Sequence, residues 1–297
     1  MCGIMGYYSF GNTVPDKEKI TTIFSLLESR GRDASGYAFI KDNHLVVNKA
    51  AIKSSELVKT DDWKELELPS SMILHTRMKT QGTEKNNANN HPLFSKNGIA
   101  IVHNGIIYND KEIFGKKQRD AEVDSESILH LLSMKMKGDK IKKLFDKVEG
   151  SFAVAVLDKY HPERLVLIKK DNPIDLYYDS KDDIFYFCSE REIMQEALSI
   201  EKTTVRGFNL GEKDFHFYEM HNNYALFINS EGVESYQKYY PSKSKWYDRN
   251  FYYRSTPEEM IIECPWCLCQ TAYYDGKLFN KCEVCGMGIN EEDLYVI

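Results

Sequence analysis

"MCGIMGYYSF", residues 1–10, is the stretch on which the reading of this chain turns. From Cys2 to Phe10 small and apolar residues alternate in the manner of a half-buried strand. Methionine aminopeptidase clips Met1 only from small second residues, and cysteine is small, so Cys2 is expected to become the amino terminus. One residue would then carry both a thiol and a free α-amine. With unperturbed pKa values of about 7.7 to 8.0 for the amine and about 8.5 for the thiol, the amine can act, directly or through a water, as base for its own side chain. A Met-Cys start also arises by chance, so the weight of Cys2 depends on the rest of the chain.

The segments beyond it have the periodicity of an α+β protein. "PDKEKITTIFSLLESRG" starts near Pro15 and stops at Gly31, with Ile20, Ile23, Phe24, Leu26 and Leu27 on one side of a helix. "ASGYAFI", "HLVVNKA", "SMILHT" and "GIAIVHNG" have strand character, and the last two end in polar residues where a site would gather. "DSESILHLLSMKMKG" predicts a helix capped by Asp124 or Ser125, with Ile128, Leu129, Leu131 and Leu132 turned inward. Four short strands come next, in "SFAVAVLD", "RLVLIKKD", "DLYYDS" and "DIFYFCSE", and then the helix "REIMQEALSI". No internal repeat is present. Strands at both ends of this region with helices between them point to sheets covered by helices.

Composition excludes several classes of protein. A chain of 297 residues, 42% hydrophobic and 28% charged, can bury a real core. Its net charge of -6 argues against general affinity for nucleic acid or anionic membranes. No apolar run reaches the length of a membrane span, and the start lacks a signal-peptide pattern, so a cytoplasmic protein is expected.

Five of the seven cysteines crowd the carboxyl-terminal end, which in a reducing cytosol indicates metal ligands rather than disulfides. "CPWCLCQTAYYDGKLFNKCEVCG" holds C-x2-C, fourteen residues, and C-x2-C. Cys264, Cys267, Cys282 and Cys285 are the expected ligands of one structural Zn²⁺, with Cys269 a spare thiol. Four thiolates close the site, so the zinc would fold a ribbon and do no chemistry. From Ile261 onward six acids stand against two lysines, which favours docking to protein or capping over binding nucleic acid. Between these regions "YQKYYPSKSKWYDRNFYYR" mixes five basic side chains with eight aromatics. It is either a surface for single-stranded nucleic acid or a linker whose aromatics lie on one domain or the other. The expected organisation is a domain over residues 2–235, an aromatic and basic linker over 236–260, and a zinc ribbon over 261–297.

Five segments come after Cys2 in order: "SRGRDASG", "LHTRMKTQG", "NNHPLF", "VHNGIIYN" and "DSES". With the starting C-G-I they resemble the class II glutamine amidotransferase domain, one of the amino-terminal nucleophile hydrolases. Weaker echoes in "EGSFAVAVLD", "KKDNPIDLYYD" and "CSERE" extend the likeness to roughly residues 2 to 230. The resemblance implies a four-layer αββα fold and glutamine hydrolysis through a Cys2 thioester, with no cofactor needed for that step. It also implies roles for individual residues. Arg77 would fork onto the glutamine α-carboxylate and Asp124 would receive its ammonium. The Asn104 amide and the Gly105 N–H would stabilise the oxyanion. Thr80 and Gly82 match the glutamine-binding loop, while Arg30, Gly31 and Asp33 would shape the loop beside the nucleophile. His75 and His103 would be scaffold, and Cys188 a small core residue. Taken one at a time, Arg77 could be a strand-end ion-pair residue, Asp124 a helix cap and Asn104-Gly105 a hairpin turn. Two departures fall in the loop over glutamine: Met78 where a large aromatic commonly follows H-T-R, and Gln81 where sugar-amidating members carry His.

Barely sixty residues lie beyond the glutaminase-like region, and no acceptor-activating domain is legible in them. The expectation is a glutaminase that supplies ammonia to a synthase on a separate chain, docked through the ribbon or the aromatic strip. The rival is a catalytically inactive zinc-ribbon adaptor or nucleic-acid-binding protein. A third reading, a nucleophile acting on another amide, is disfavoured because a substrate that is not zwitterionic needs neither Arg77 nor Asp124.

Overall fold

The computed structural model describes residues 2–11, 13–134, 139–198 and 218–240, and the backbone of four short strands between 259 and 289. The chain divides into two compact units, Met1–Ser242 and Lys243–Ile297.

The first unit runs β1 (Gly3–Ser9), α1 (Lys17–Leu26), β2 (Ala34–Lys41), β3 (His44–Ala50), α2 (Ser54–Leu57), α3 (Asp61–Lys64), β4 (Ser71–Arg77), β5 (Leu93–Phe94) and β6 (Ile99–Ile107). It continues through α4 (Asp110–Phe114), α5 (Glu126–Ser133), α6 (Lys140–Lys147), β7 (Gly150–Asp158), β8 (His161–Lys170), β9 (Asp175–Asp179), β10 (Ile184–Cys188) and α7 (Arg191–Ala197). It closes with β11 (Tyr218–Glu219), β12 (Tyr224–Asn229) and β13 (Gly232–Lys238). Two antiparallel sheets result. One has the order β11-β9-β10-β1-β4-β2-β3, the other β13-β12-β8-β7-β6-β5.

Alternation along the strands sends side chains to two faces, and each face has its own apolar cluster. Ile4, Tyr8 and Ile73 of the first sheet meet Ala100, Val102, Ala155 and Leu167 of the second in a core between the sheets. The outer face of the first sheet, with Met5, Tyr7, Leu74 and Tyr186, is covered by Ile20, Ile23 and Phe24 of α1, Trp63 of α3 and Met194 of α7. On the outer face of the second, Ile101, Val154 and Ile168 lie under Ile128, Leu132, Leu144 and Phe145 of α5 and α6. Helix, sheet, sheet and helix therefore stack as four layers. Each fully buried large apolar side chain stabilises the stack by about 1.5–3 kcal/mol.

Local sequence accounts for the elements. Asp16 caps α1, its carboxylate accepting from the N–H groups of Glu18 and Lys19. The helix tightens into a 3-10 turn at Leu27–Arg30, which buries Leu27 and leaves Leu26 only half-buried, so Leu26 is not a core position. Helix α5 buries all four residues of its expected inner face. Ser125 stands at its cap position without a side-chain cap bond. The strands β12 and β13 carry no motif and were not expected. β12 pairs with β8 on one side and β13 on the other. The boundary expected at residue 236 consequently moves. Tyr236 lies within β13, packed on Tyr224 and His221, and Tyr239 stacks on Phe145 at 5.2 Å. These aromatics belong to the first unit because burial against the sheet and α6 removes them from water; residues 241–258 lie outside the described set.

In the second unit β14 (Glu259–Glu263) pairs antiparallel with β15 (Gln270–Tyr274), and β16 (Asn280–Lys281) with β17 (Gly288–Ile289). The four expected zinc ligands, Cys264, Cys267, Cys282 and Cys285, lie outside the described residues.

Candidate active site

Register decides which residues meet. Gly3 pairs with Thr76, so the start of β1 lies beside the end of β4. Ile4 and Ile73 face the second sheet, and by the two-residue period Cys2 and Arg77 lie on that same face. On β6 the facing set is Ala100, Val102 and, by the same period, Asn104. The two strands are joined directly by the His75 Nε2–H, which donates to the His103 carbonyl at 3.0 Å. Cys2, Arg77 and Asn104 therefore gather at one end of the cleft between the sheets.

Cys2 is partly exposed, and its Sγ lies 3.6 Å from the Met78 carbonyl. Burial pushes the thiol pKa above its usual value. The Met78 contact, the amino terminus and Arg77 pull it back, while Asp124 adds to the rise. The nucleophile candidate is thus within electrostatic reach of both charged groups expected to hold glutamine.

The loop under Cys2 is held by the R-G-x-D segment. Asp33 donates its N–H to the Arg77 carbonyl at 3.0 Å, and its carboxylate accepts from the Lys79 N–H at 2.7 Å. A side chain at Gly31 would meet the Arg77 carbonyl carbon at 2.3 Å, so only glycine permits this approach. Arg30 pairs with Glu190 at the end of β10, and its Nε and Nη2 are buried without a partner among the described residues. The segment carrying Glu190 also touches β1, because Ser189 exchanges hydrogen bonds with the Ile4 backbone.

Arg77 is buried, and its guanidinium is already engaged. Nη1 donates to Asn90 Oδ1 at 2.8 Å, and Nη2 donates to the carbonyls of Gln81 and Gly82. These acceptors are neutral, so among the described residues Arg77 is not a strand-end ion-pair residue. Gly82 has φ +66° and Thr80 is exposed in the same loop, as are Met78 and Gln81.

Asn104 and Gly105 lie inside β6, opposite Ala153 and Phe152, which excludes the hairpin-turn reading. Gly105 has φ +149°, and a Cβ there would fall 2.1 Å from the Ser151 carbonyl oxygen. The Asn104 amide is buried, with neither Oδ1 nor Nδ2 partnered among the described residues. An orphaned buried amide costs about 1–3 kcal/mol per group, so its retention calls for an explanation.

Asp124 is buried at the entrance to α5. Its Oδ2 accepts from the Ile107 N–H at 2.7 Å and its Oδ1 from the Ser125 N–H at 2.8 Å, which ties β6 to the helix without capping it. Ser125 also meets His103 Nδ1 at 2.7 Å. Burial lowers the pKa of His75 to about 3, that of His91 well below the ordinary value, and that of His103 in the same direction. His75 and His91 stack at 4.2 Å. These imidazoles are neutral at physiological pH and pack as scaffold. Cys188 is buried in β10, where burial raises its thiol to about 12.

Asn89 and Asn90 enter the sequence reading only as the start of "NNHPLF" and Ser125 only as a candidate helix cap within "DSES", with no site role for any of the three, because short polar residues in a loop carry no pattern of their own.

The chain is similar to known proteins. A family model described as a glutamine amidotransferase domain matches residues 75–196. The glutamine--fructose-6-phosphate aminotransferase [isomerizing] of Aquifex aeolicus is 35% identical over 183 residues, 59% of this chain and 30% of that protein. Its counterpart from Clostridium perfringens is 34% identical over 228 residues, 72% of this chain and 35% of that one. The chain thus spans about a third of the length of these curated relatives. Among solved structures, the glutamine phosphoribosylpyrophosphate amidotransferase from B. subtilis aligns with a TM-score of 0.61 at 17% identity, over 81% of this chain and 50% of that one. A structure described as the allosteric regulatory enzyme of purine biosynthesis aligns at 0.60 and 18%, with the same coverage.

The two stacked antiparallel sheets are those of an amino-terminal nucleophile hydrolase-like α+β fold. The chain carries a class II glutamine amidotransferase domain, homologous to glutamine-hydrolysing enzymes. Among the described residues no helix is long and apolar enough to cross a membrane.

Proposed function

We propose that the first unit hydrolyses L-glutamine to glutamate and supplies the ammonia to an acceptor-activating synthase. After removal of Met1, the Cys2 amine takes the thiol proton and Sγ attacks the side-chain amide carbon. The tetrahedral oxyanion is held by Asn104 Nδ2–H and the Gly105 N–H. Its collapse breaks the C–N bond, ammonia leaves with the proton returned by the amine, and water then cleaves the Cys2 thioester to glutamate. Arg77 receives the substrate α-carboxylate and Asp124 its α-ammonium, with Gly82 and Thr80 in the loop above them and Arg30 bracing the segment beside Cys2.

The observation that carries this reading is the Asn104 amide, buried without a partner among the described residues in a cleft that also holds a cysteine. A donor aimed where charge develops only in the transition state has this property, since a ground-state partner would compete with the oxyanion. The test is ammonia release from glutamine by the purified full chain. Release that disappears in Cys2→Ala supports the proposal, and equal release by Cys2→Ala refutes it.

A synthase that uses the ammonia is part of the proposal, with the aminotransferase names of the relatives as its support; its place on a separate chain is proposed although those relatives join both activities in one chain, about a third of which is matched here. For the second unit we propose one structural Zn²⁺ on Cys264, Cys267, Cys282 and Cys285. In the sequence the first pair lies between the paired strands β14 and β15 and the second between β16 and β17, a spacing that suits two knuckles sharing a tetrahedral ion. The ion would hold the unit's fold together and take no part in hydrolysis. Elemental analysis of purified protein is expected to give one zinc per chain, reduced to none by Cys282→Ser with Cys285→Ser; a chain purified without metal would contradict this.

A further inference from the structure

We propose that Asn90 is a positioning residue for glutamine recognition, holding the Arg77 guanidinium in the orientation that meets the substrate carboxylate. The inference rests on the glutaminase reading above and names a residue that motif matching did not single out.

Asn90 is fully buried in a loop, an unusual place for a side-chain amide unless every polar atom is used. All of them are. Oδ1 accepts from Arg77 Nη1 at 2.8 Å, while Nδ2 donates to the Glu84 carbonyl at 2.7 Å and to Asn87 Oδ1 at 3.1 Å. Its own carbonyl accepts from Lys49 Nζ at 2.6 Å. The amide is therefore clamped from both sides and cannot turn to follow the arginine.

The effect on Arg77 comes from counting donors. A guanidinium has five N–H groups. Asn90 takes one on Nη1, and the Gln81 and Gly82 carbonyls are held by Nη2. What remains for a ligand is Nε–H and the second Nη1–H. Asn90 fixes the plane in which these two point; without it the planar guanidinium is held only at its Nη2 edge and can tilt about that edge.

Asn89 extends the same scaffold toward the other end of the substrate. Its Oδ1 accepts from the Glu122 N–H at 2.8 Å, and its Nδ2 donates to Glu122 Oε2 at 2.7 Å. Glu122 precedes Asp124 by two residues. The two adjacent asparagines thus brace the cation and the carboxylate that we assign to the two charged ends of glutamine.

A positioning role predicts a change in selectivity, not only in activity. In the Cys2→Ala full chain, which binds without chemistry, L-glutamine and L-glutaminamide are titrated calorimetrically; the second ligand has a neutral carboxamide in place of the α-carboxylate. Glutamine is expected to bind more tightly by about tenfold or more, the worth of a hydrogen bond between charged partners. Adding Asn90→Ala is expected to bring the two dissociation constants within about threefold of each other. An unchanged preference in that variant overturns the proposal, including the case in which both ligands weaken equally, because that pattern marks a general packing defect. Should Asn90→Ala not fold, Asn90→Ser decides: it keeps a small polar side chain in the site but is too short to reach Arg77 Nη1, so full retention of glutamine preference would overturn the proposal. If the parent itself does not distinguish the ligands, the glutamine reading fails and this inference fails with it, a result distinct from loss of effect in the Asn90 variants alone.

Discussion

Arg77 at the end of β4 and Asn104 near the end of β6 stand on facing sheets at the same end of one cleft, yet the protein treats them in opposite ways. Arg77 is held by Asn90 and two carbonyls. Asn104 is equally buried and held by nothing among the described residues. A permanent charge under a protein surface must be solvated by fixed dipoles whether or not substrate is present. A neutral amide can be left bare at modest cost and kept for a charge that exists only during reaction. In the proposed reaction the difference separates the group that would bind substrate from the group that would stabilise the transition state.

The comparison breaks first at Asn104. Asn104→Ala is expected to lower kcat for glutamine hydrolysis by about 10²–10³, with little change in KM and no loss of thermal stability, since no protein hydrogen bond is removed. A clear fall in melting temperature would show that the amide has a structural partner and that the contrast is false. Arg77→Lys should behave differently because it removes a fork of donors. Glutamine KM is expected to rise about tenfold or more, and stability to fall by about 1–3 kcal/mol, as read by denaturant unfolding. Loss of affinity without loss of stability would mean that the loop is anchored elsewhere.

Beneath both residues lie His75, His91 and His103, whose pKa values burial depresses. In the unfolded chain they protonate near pH 6.5, so below that pH the unfolded state binds protons that the folded state refuses. Their contribution is fully present above the unfolded value and is lost as pH falls below it, for His75 down to about 3, on the order of 1.4 kcal/mol per pH unit for a histidine that stays neutral in the fold. Urea midpoints measured from pH 7.5 down to 5 should decline; a flat profile would mean that the imidazoles protonate inside the fold. The smallest expected effect concerns Cys2. Because burial raises its thiol pKa, alkylation by iodoacetamide should still be accelerating as pH passes 9, and a plateau below about 8.5 would contradict that.

Much of this was legible in the amino acids, for reasons that differ by region. Strand β1 announced itself by alternation of small and apolar residues, β4 and β6 because their apolar runs end in polar motif residues, and α5 because four leucine and isoleucine side chains repeat at helical spacing. Cys2, Arg77, Asn104 and Asp124 were legible as an ordered set of motifs, although only the register of Gly3 against Thr76 and the His75–His103 bond explain how they meet. β12 and β13 were missed because "YALFIN" lies against β8, far away in sequence, and its pairing is a tertiary fact. The Asn89 and Asn90 contacts were illegible for a related reason: their partners at Glu122 and Arg77 are chosen by loop geometry, and asparagine in a loop is otherwise unremarked. Arg30 and Glu190, 160 positions apart, form the same kind of long-range pair.

The most direct test of the central claim is the intact mass of the full chain before and after exposure to 6-diazo-5-oxo-norleucine, an electrophilic glutamine mimic, with Cys2→Ser as the control. The expected result is a chain lacking Met1 that gains one adduct, blocked by excess glutamine and absent from the control. A chain that retains Met1, or that labels equally well in Cys2→Ser, would contradict it.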